Sequence, residues 1–113
     1  MIADGLMSCR IKEHRHASDV LCGSDTAAHL ALSRLLEIAR RRKFVTQSPV
    51  RVALVALHHD NLAVQERAAM ILWAVASRRT MTALRWKLAE QPHEMIADTI
   101  KEALTRAARK RKP

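Results

Sequence analysis

Apolar residues recur at three- and four-residue spacing through most of this chain, and this helical period restricts the fold more than any other feature of the sequence. Leu32, Leu35 and Leu36 show the pattern clearly. The 113 residues include only two glycines and three prolines, and aromatic residues make up 3%. Helix breakers are therefore few, and the residues that sheets prefer are scarce. The sequence predicts a single all-α domain.

Capping and turn signals divide this domain into about five helices. The signals are Ser24-Asp25, Ser48-Pro49, Asp60-Asn61, Thr80 and Gln91-Pro92, which combine N-cap residues with proline at or near a first helical position. They predict helices over residues 26–42, 49–59, 62–78, 81–90 and 93–109. The helix over 49–59 is apolar on nearly all sides, so we expect it at the centre of the core.

The two ends of the chain carry weaker signals. Residues 1–23 contain Gly5 and Gly23 and show no sustained period, which predicts a poorly specified N-terminal arm or a cap, with a short helix over residues 9–17 at most. The domain proper then spans residues 24–109. Residues 110–113 are expected to form a basic C-terminal tail.

An internal repeat connects the predicted helices in pairs. Leu57 and Leu88 are separated by 31 residues, and Val64, Ala68 and Leu72 correspond to Ile96, Ile100 and Leu104 at a separation of 32. Residues 31, 35 and 39 correspond in turn to residues 68, 72 and 76 at a separation of 37. Each unit is one helical hairpin, and the first predicted helix is the second half of a degenerate hairpin.

Residues 52–73 resemble the short HEAT-like repeat of the bilin-lyase type. The resemblance rests on a leucine-rich first helix, the Asp60-Asn61 turn, and a second helix that opens with Val64 followed by Ala68-Ala69. It implies a short right-handed α-solenoid of about 2.5 antiparallel hairpins. About three such repeats are usually needed for independent stability. Either residues 1–23 act as the cap, or self-association or a protein partner covers the open end.

The charge of the chain points to an anionic partner. Lys and Arg number 20 against 11 Asp and Glu, which gives a net charge of +9. Nucleic acid, an anionic membrane surface and an acidic protein are the usual partners of such a basic chain. The cations are clustered, and the clusters comprise Arg40, Arg41, Arg42 and Lys43, then Arg78 and Arg79, then Arg106, Arg109, Lys110 and Arg111.

Each of these clusters lies at the C-terminal end of a predicted helix that forms the second half of a hairpin. In a stack of hairpins the ends of those helices lie on one edge, at packing distances of ~10 Å, so we expect a basic ridge that contacts the phosphates of duplex nucleic acid. Cations at helix C-termini are also favoured by the helix dipole, by ~0.3–1 kcal/mol each. The dipole alone predicts one cation per helix end rather than a cluster.

The alternative function is a protein-interaction scaffold. In this hypothesis an apolar helical face with Met70, Trp73 and Trp86 docks a partner, and the basic edge attracts an acidic target. Tryptophan is enriched at interfaces because its ring supplies a large apolar area and one polar group. The response of binding to salt distinguishes the two hypotheses.

The sequence contains no recognisable catalytic, metal or cofactor motif, so we expect a non-enzymatic protein. Cys9, His14, His16 and Cys22 match no common zinc-finger spacing. His58-His59-Asp60 falls at a predicted helix end and turn, where the repeat already accounts for these residues. No stretch of ~18 apolar residues could span a membrane, and the N-terminus lacks a secretory leader. We therefore expect a cytoplasmic protein.

Overall fold

The computed structural model describes residues 2–111, and the side chains of residues 9–109. The described residues form six α-helices and no strand, which confirms the all-α prediction. The helices are α1 (Ile2–Cys22), α2 (Asp25–Arg41), α3 (Ser48–Ala56), α4 (Leu62–Val75), α5 (Arg78–Ala89) and α6 (Glu94–Arg111). None of them is both long enough and apolar enough to cross a membrane.

The sixth helix is α1, in the segment for which the sequence predicted an arm or cap. Gly5 does not interrupt it, because one glycine costs a helix only ~1 kcal/mol. Ala17 and Val20 of α1 are buried in the common core. Helix α1 ends at Cys22 and Gly23 follows it, after which the hydroxyl of Ser24 accepts a hydrogen bond from the N–H of Ala27 at 3.2 Å and begins α2.

Six helices form two layers. In one layer α4 lies between α2 and α6 and contacts both, and in the other α3 contacts α1 and α5. Across the layers α1 contacts α2, α3 contacts α4, and α5 contacts α6. The Cα positions extend over 43 × 40 × 17 Å, and the shortest extent is that of two packed layers of helices.

The centre of the core is α4 rather than α3, contrary to the prediction for residues 49–59. Ile71 and Leu72 of α4 have no exposed surface, and α4 contacts α2, α3, α5 and α6. In α3, by contrast, Val55 is 62% exposed. The apolar sequence of α3 was misleading, because one flank of this helix lies on the outside of its layer.

The junction between α4 and α5 also differs from the prediction. Helix α4 ends at Val75, and Ala76 adopts the left-handed conformation with φ of 52°. The hydroxyl of Ser77 then accepts a hydrogen bond from the N–H of Thr80, whose own hydroxyl accepts one from the N–H of Ser77. This capping box begins α5 at Arg78, so Ser77 is the N-cap and Thr80 lies inside the helix.

Candidate nucleic-acid interface

Two neighbouring grooves collect basic side chains from three parts of the chain. The first groove has a volume of about 650 Å³ and is lined by Ala39, Arg40, Met70, Trp73, Ala74, Ala76, Met81, Arg106 and Ala107. The second has a volume of about 390 Å³ and is lined by Ala39, Arg42, Lys43, Phe44, Thr46, Gln47, Val50, Ala74, Val75, Ser77 and Arg79. Ala39 and Ala74 line both grooves, so the two grooves adjoin. We call their five cations, Arg40, Arg42, Lys43, Arg79 and Arg106, the basic edge.

The basic edge arises from the order of the helices. Arg40 lies in the last turn of α2, and Arg42 and Lys43 follow directly. Arg106 lies in the second half of α6. Since α4 is packed between α2 and α6, residues of its C-terminal turn line both grooves together with these cations, and Arg79, from the start of α5, lines the second groove.

The position of Arg78 and Arg79 corrects the sequence-based interpretation. These two arginines do not close the helix formed by residues 62–75; they occupy the first turn of α5, which contains no acidic residue. The positive end of the helix dipole lies there and disfavours cations. Dipole preference therefore does not account for this pair.

Four of the other predicted site residues lie outside the two grooves. Arg41 is exposed and pairs with Glu37 at 3.0 Å, and Arg78 and Arg109 are exposed elsewhere on the surface. Trp86 of the alternative interface is 72% exposed. Trp86 follows Met81 by five residues and Leu84 by two, which correspond to rotations of about 140° and 200° around the helix axis. Its side chain therefore points away from both of these buried residues of α5. The side chains of Lys110 and Arg111 lie outside the described residues.

Trp86 therefore does not share a surface with the other two residues of the predicted apolar face. Met70 and Trp73 line the first groove together. The guanidinium of Arg106 lies over the Trp73 ring, 5.1 Å from its centroid. The same guanidinium pairs with Glu102 at 2.7 Å, so Arg106 is held in place from two sides.

The charged residues that line the two grooves, among those described, are all basic. No carboxylate is among the described residues that line either groove. Within that part of the chain, Arg42 pairs with Glu13 and Arg106 with Glu102, whereas Arg40, Lys43 and Arg79 form no ion pair. Three exposed cations are thus available to a ligand without displacing a carboxylate.

Glu13 of α1 fixes the loop that forms one wall of the second groove. This carboxylate has no exposed surface. It accepts hydrogen bonds from Arg42 at 2.8 Å, from the N–H of Val45 at 3.0 Å, and from the N–H and hydroxyl of Thr46 at 2.8 and 2.7 Å. Burial raises the pKa of the Glu13 carboxyl, but the hydrogen bonds from Val45, Thr46 and Arg42 outweigh it and hold the pKa below its ordinary value.

Sequence reasoning did not identify Glu13. It lies among polar and charged neighbours in a segment without a clear period, and nothing in its spacing distinguishes it from an exposed glutamate. The only available signal was indirect: residues 43–47 form a five-residue connector whose backbone N–H groups need acceptors. Arg42, predicted as a phosphate contact, is instead largely engaged in holding this connector.

Among the residues whose side chains the structure describes, the histidines and cysteines do not assemble into a metal site. In the region from residue 9 to residue 109, no three His, Cys, Asp or Glu side chains are placed to hold a metal ion. His14 shares a hydrogen bond of 2.7 Å with the hydroxyl of Ser48. His58 lies 3.9 Å from Glu90 and His59 lies 3.6 Å from Asp25, so each contacts a single carboxylate.

Comparison with known protein families, with curated proteins and with solved structures gave no match to this chain.

Proposed function

We propose that this protein is a non-enzymatic helical-repeat module that binds nucleic acid through the basic edge. One observation carries the proposal: cations from the end of α2, the start of α5 and the second half of α6 line two adjoining grooves in which no described residue is acidic. Phosphates are the ligand that such a surface suits, because lysine and arginine contacts to phosphate release condensed counterions and need no particular base sequence.

The arrangement of helices supports a short HEAT-like solenoid as the scaffold. Each helix contacts its hairpin partner and the equivalent helix of the next hairpin, as expected for stacked repeats. With α1 present, the stack has three hairpins instead of two and a half. The equivalent ends of α2, α4 and α6 then lie at intervals of ~10 Å. A duplex backbone laid along the basic edge would contact the cations at the end of α2, at the start of α5 and in the second half of α6.

The free thiols of Cys9 and Cys22 are consistent with a reducing compartment such as the cytoplasm, which is where we place the protein.

A protein partner is the second candidate. The first groove has an apolar floor that includes Met70, Trp73 and Met81, and such a floor could receive an apolar side chain of an acidic protein. Four of the five cations on the edge are arginines, and arginine suits both carboxylate and phosphate. The choice between these partners requires a direct comparison of ligands.

The deciding experiment compares two triple variants by fluorescence anisotropy with a labelled duplex, at several salt concentrations. The edge variant carries Arg40→Gln, Lys43→Gln and Arg79→Gln. The control variant carries Arg10→Gln, Lys12→Gln and Arg15→Gln, all exposed positions of α1. Both variants remove three positive charges from the net +9, so their difference reports the position of the charges rather than their number.

For the edge variant we expect at least a ~10-fold loss of duplex affinity and a salt slope that is shallower by about 2–3, since each phosphate contact contributes ~0.9 to the slope. For the control variant we expect a change below ~1 in the slope. Equal losses in the two variants would contradict the proposal. So would binding of poly-glutamate as tight as binding of the duplex, which would favour the protein partner.

A further inference from the structure

The first groove contains large apolar side chains that a phosphate site does not require. Its walls carry Arg40 and Arg106, but its floor includes Met70, Trp73 and Met81, and Met81 is only 2% exposed. A phosphate gains nothing from an apolar floor, because it keeps its charge near water and near cations. The groove therefore suits a ligand that has a flat apolar group next to an anionic one.

Arg106 covers part of one face of Trp73, so such a group would stack on the outer face of the guanidinium and on the part of the indole that it leaves open. The guanidinium of Arg106 lies over the indole ring, 5.1 Å from its centroid, and Glu102 holds it at 2.7 Å. Tryptophan rings and arginine planes are the surfaces on which proteins stack nucleobases. The pair is already assembled in the free protein, which lowers the entropy that a ligand must lose to order it.

We propose that the first groove receives one unpaired nucleobase, while the adjoining second groove holds the phosphates that flank it. This inference rests on the proposed function and narrows it: the preferred ligand is nucleic acid with an unpaired nucleotide, such as a bulge, a loop or a single strand. The volume of about 650 Å³ falls within the range of ~300–1,000 Å³ typical of sites that enclose a small organic group.

Two features favour a base over a side chain of a protein partner. The only large apolar side chains among the described lining residues are Met70, Trp73 and Met81, and arginines of α2 and α6 line the groove with them, whereas a docked amphipathic helix needs a long apolar stripe. The groove also continues into the second one through Ala39 and Ala74, where Lys43 and Arg79 lie. A base attached to a charged backbone matches this arrangement, in which an apolar surface adjoins a cationic one.

The experiment uses the fluorescence of Trp73. The chain contains two tryptophans, so Trp86→Phe leaves Trp73 as the only one. This variant is titrated with a blunt duplex, with the same duplex carrying one bulged adenine, with that duplex carrying an abasic bulge, and with a single strand. We expect the bulged adenine and the single strand to quench Trp73, and the blunt and abasic duplexes to bind without quenching.

We also expect the bulged adenine to bind about 10-fold more tightly than the abasic bulge, within the range for stacking of one base on an aromatic ring. Replacing Trp73 by Leu should abolish this preference and leave the salt slope unchanged. Trp73→Phe should retain part of it, which separates loss of stacking from loss of folding.

The outcomes separate this inference from the function on which it rests. Equal binding of all the duplexes with no quenching overturns the base site and leaves the nucleic-acid function intact. Absence of binding to every nucleic acid at low salt overturns both. Quenching of Trp73 by poly-glutamate that oligonucleotides do not reverse also overturns the base site, in favour of a protein occupant.

Discussion

Glu13 is a single carboxylate whose partners lie about thirty residues further along the chain. It accepts four hydrogen bonds, three of them from Val45 and Thr46 and one from Arg42. A buried carboxylate is costly unless it is paired and hydrogen-bonded. Here those bonds also order the connector between α2 and α3, and thereby the wall of the second groove. One residue of α1 thus links the stability of the fold to the shape of the candidate site.

Replacing Glu13 by Gln should lower the free energy of unfolding by about 2 kcal/mol, because the amide keeps the size of the side chain but loses one acceptor oxygen and the charge. Urea unfolding followed by circular dichroism measures the change. The matched control is Glu37→Gln. Glu37 pairs with Arg41 on the surface, where its side chain is 63% exposed, so its loss should cost less than ~0.5 kcal/mol. Similar losses in the two variants would contradict the role of Glu13.

The contribution of Glu13 should also depend on pH in one direction. The pKa of its carboxyl in the folded protein lies below the ordinary value, whereas in the unfolded chain it is ~4.3. The stabilisation is therefore complete above about pH 5 and is lost as the pH falls through the folded pKa. We expect the stability difference between the wild type and Glu13→Gln to shrink steadily below about pH 4. A constant difference between pH 6 and pH 3 would exclude this linkage.

At the scale of single residues, the sequence showed where basic residues cluster, but not which of their side chains pair with other parts of the protein. It identified the basic clusters, because runs of arginine are visible in any segment. It could not show that Arg42 pairs with Glu13 while Lys43 remains exposed, because that depends on how a distant helix packs. The stacking of Arg106 on Trp73, 33 residues apart in sequence, was hidden for the same reason.

At the scale of elements, the junction of α4 and α5 determines where Arg78 and Arg79 lie. The predicted helix over residues 62–78 extended too far, because its apolar period gave no sign of Ala76 adopting a left-handed conformation. Alanine in place of glycine at such a position is unusual. The sequence analysis took Thr80 as the cap, whereas Ser77 caps α5 and Thr80 lies inside the helix. The arginines consequently moved from the end of one helix to the start of the next.

Ala76→Gly should stabilise the protein by up to about 1 kcal/mol, since glycine adopts a positive φ without the steric cost that a Cβ atom adds. The control is Ala74→Gly, two residues earlier in the last turn of α4, where glycine should destabilise by up to about 0.5–1 kcal/mol. Thermal unfolding of the two variants should show midpoint shifts of opposite sign. Destabilisation by both substitutions would show that the left-handed conformation of Ala76 carries no strain.

At the scale of the whole molecule, the repeat in the sequence indicated paired helices but gave no sign of α1. Separations of 31, 32 and 37 residues relate corresponding positions within the five helices from α2 through α6. They do not extend to α1, whose sequence shows no such correspondence. Helix α1 contacts α2 and α3, whose outer sides would otherwise lack a neighbour at this end of the stack. The hairpins place α2, α4 and α6 side by side, and the basic edge follows from that layer.

If α1 completes the stack, its removal should unfold much of the remaining chain. A protein that lacks residues 1–22 loses the helix that contacts α2 and α3, together with the carboxylate that orders the connector between them. We expect a large loss of far-ultraviolet circular dichroism or a fall of more than ~10 °C in the melting temperature. Adding a peptide of residues 1–24 should restore part of the signal. A shortened protein that melts at the wild-type temperature would show that two and a half hairpins suffice.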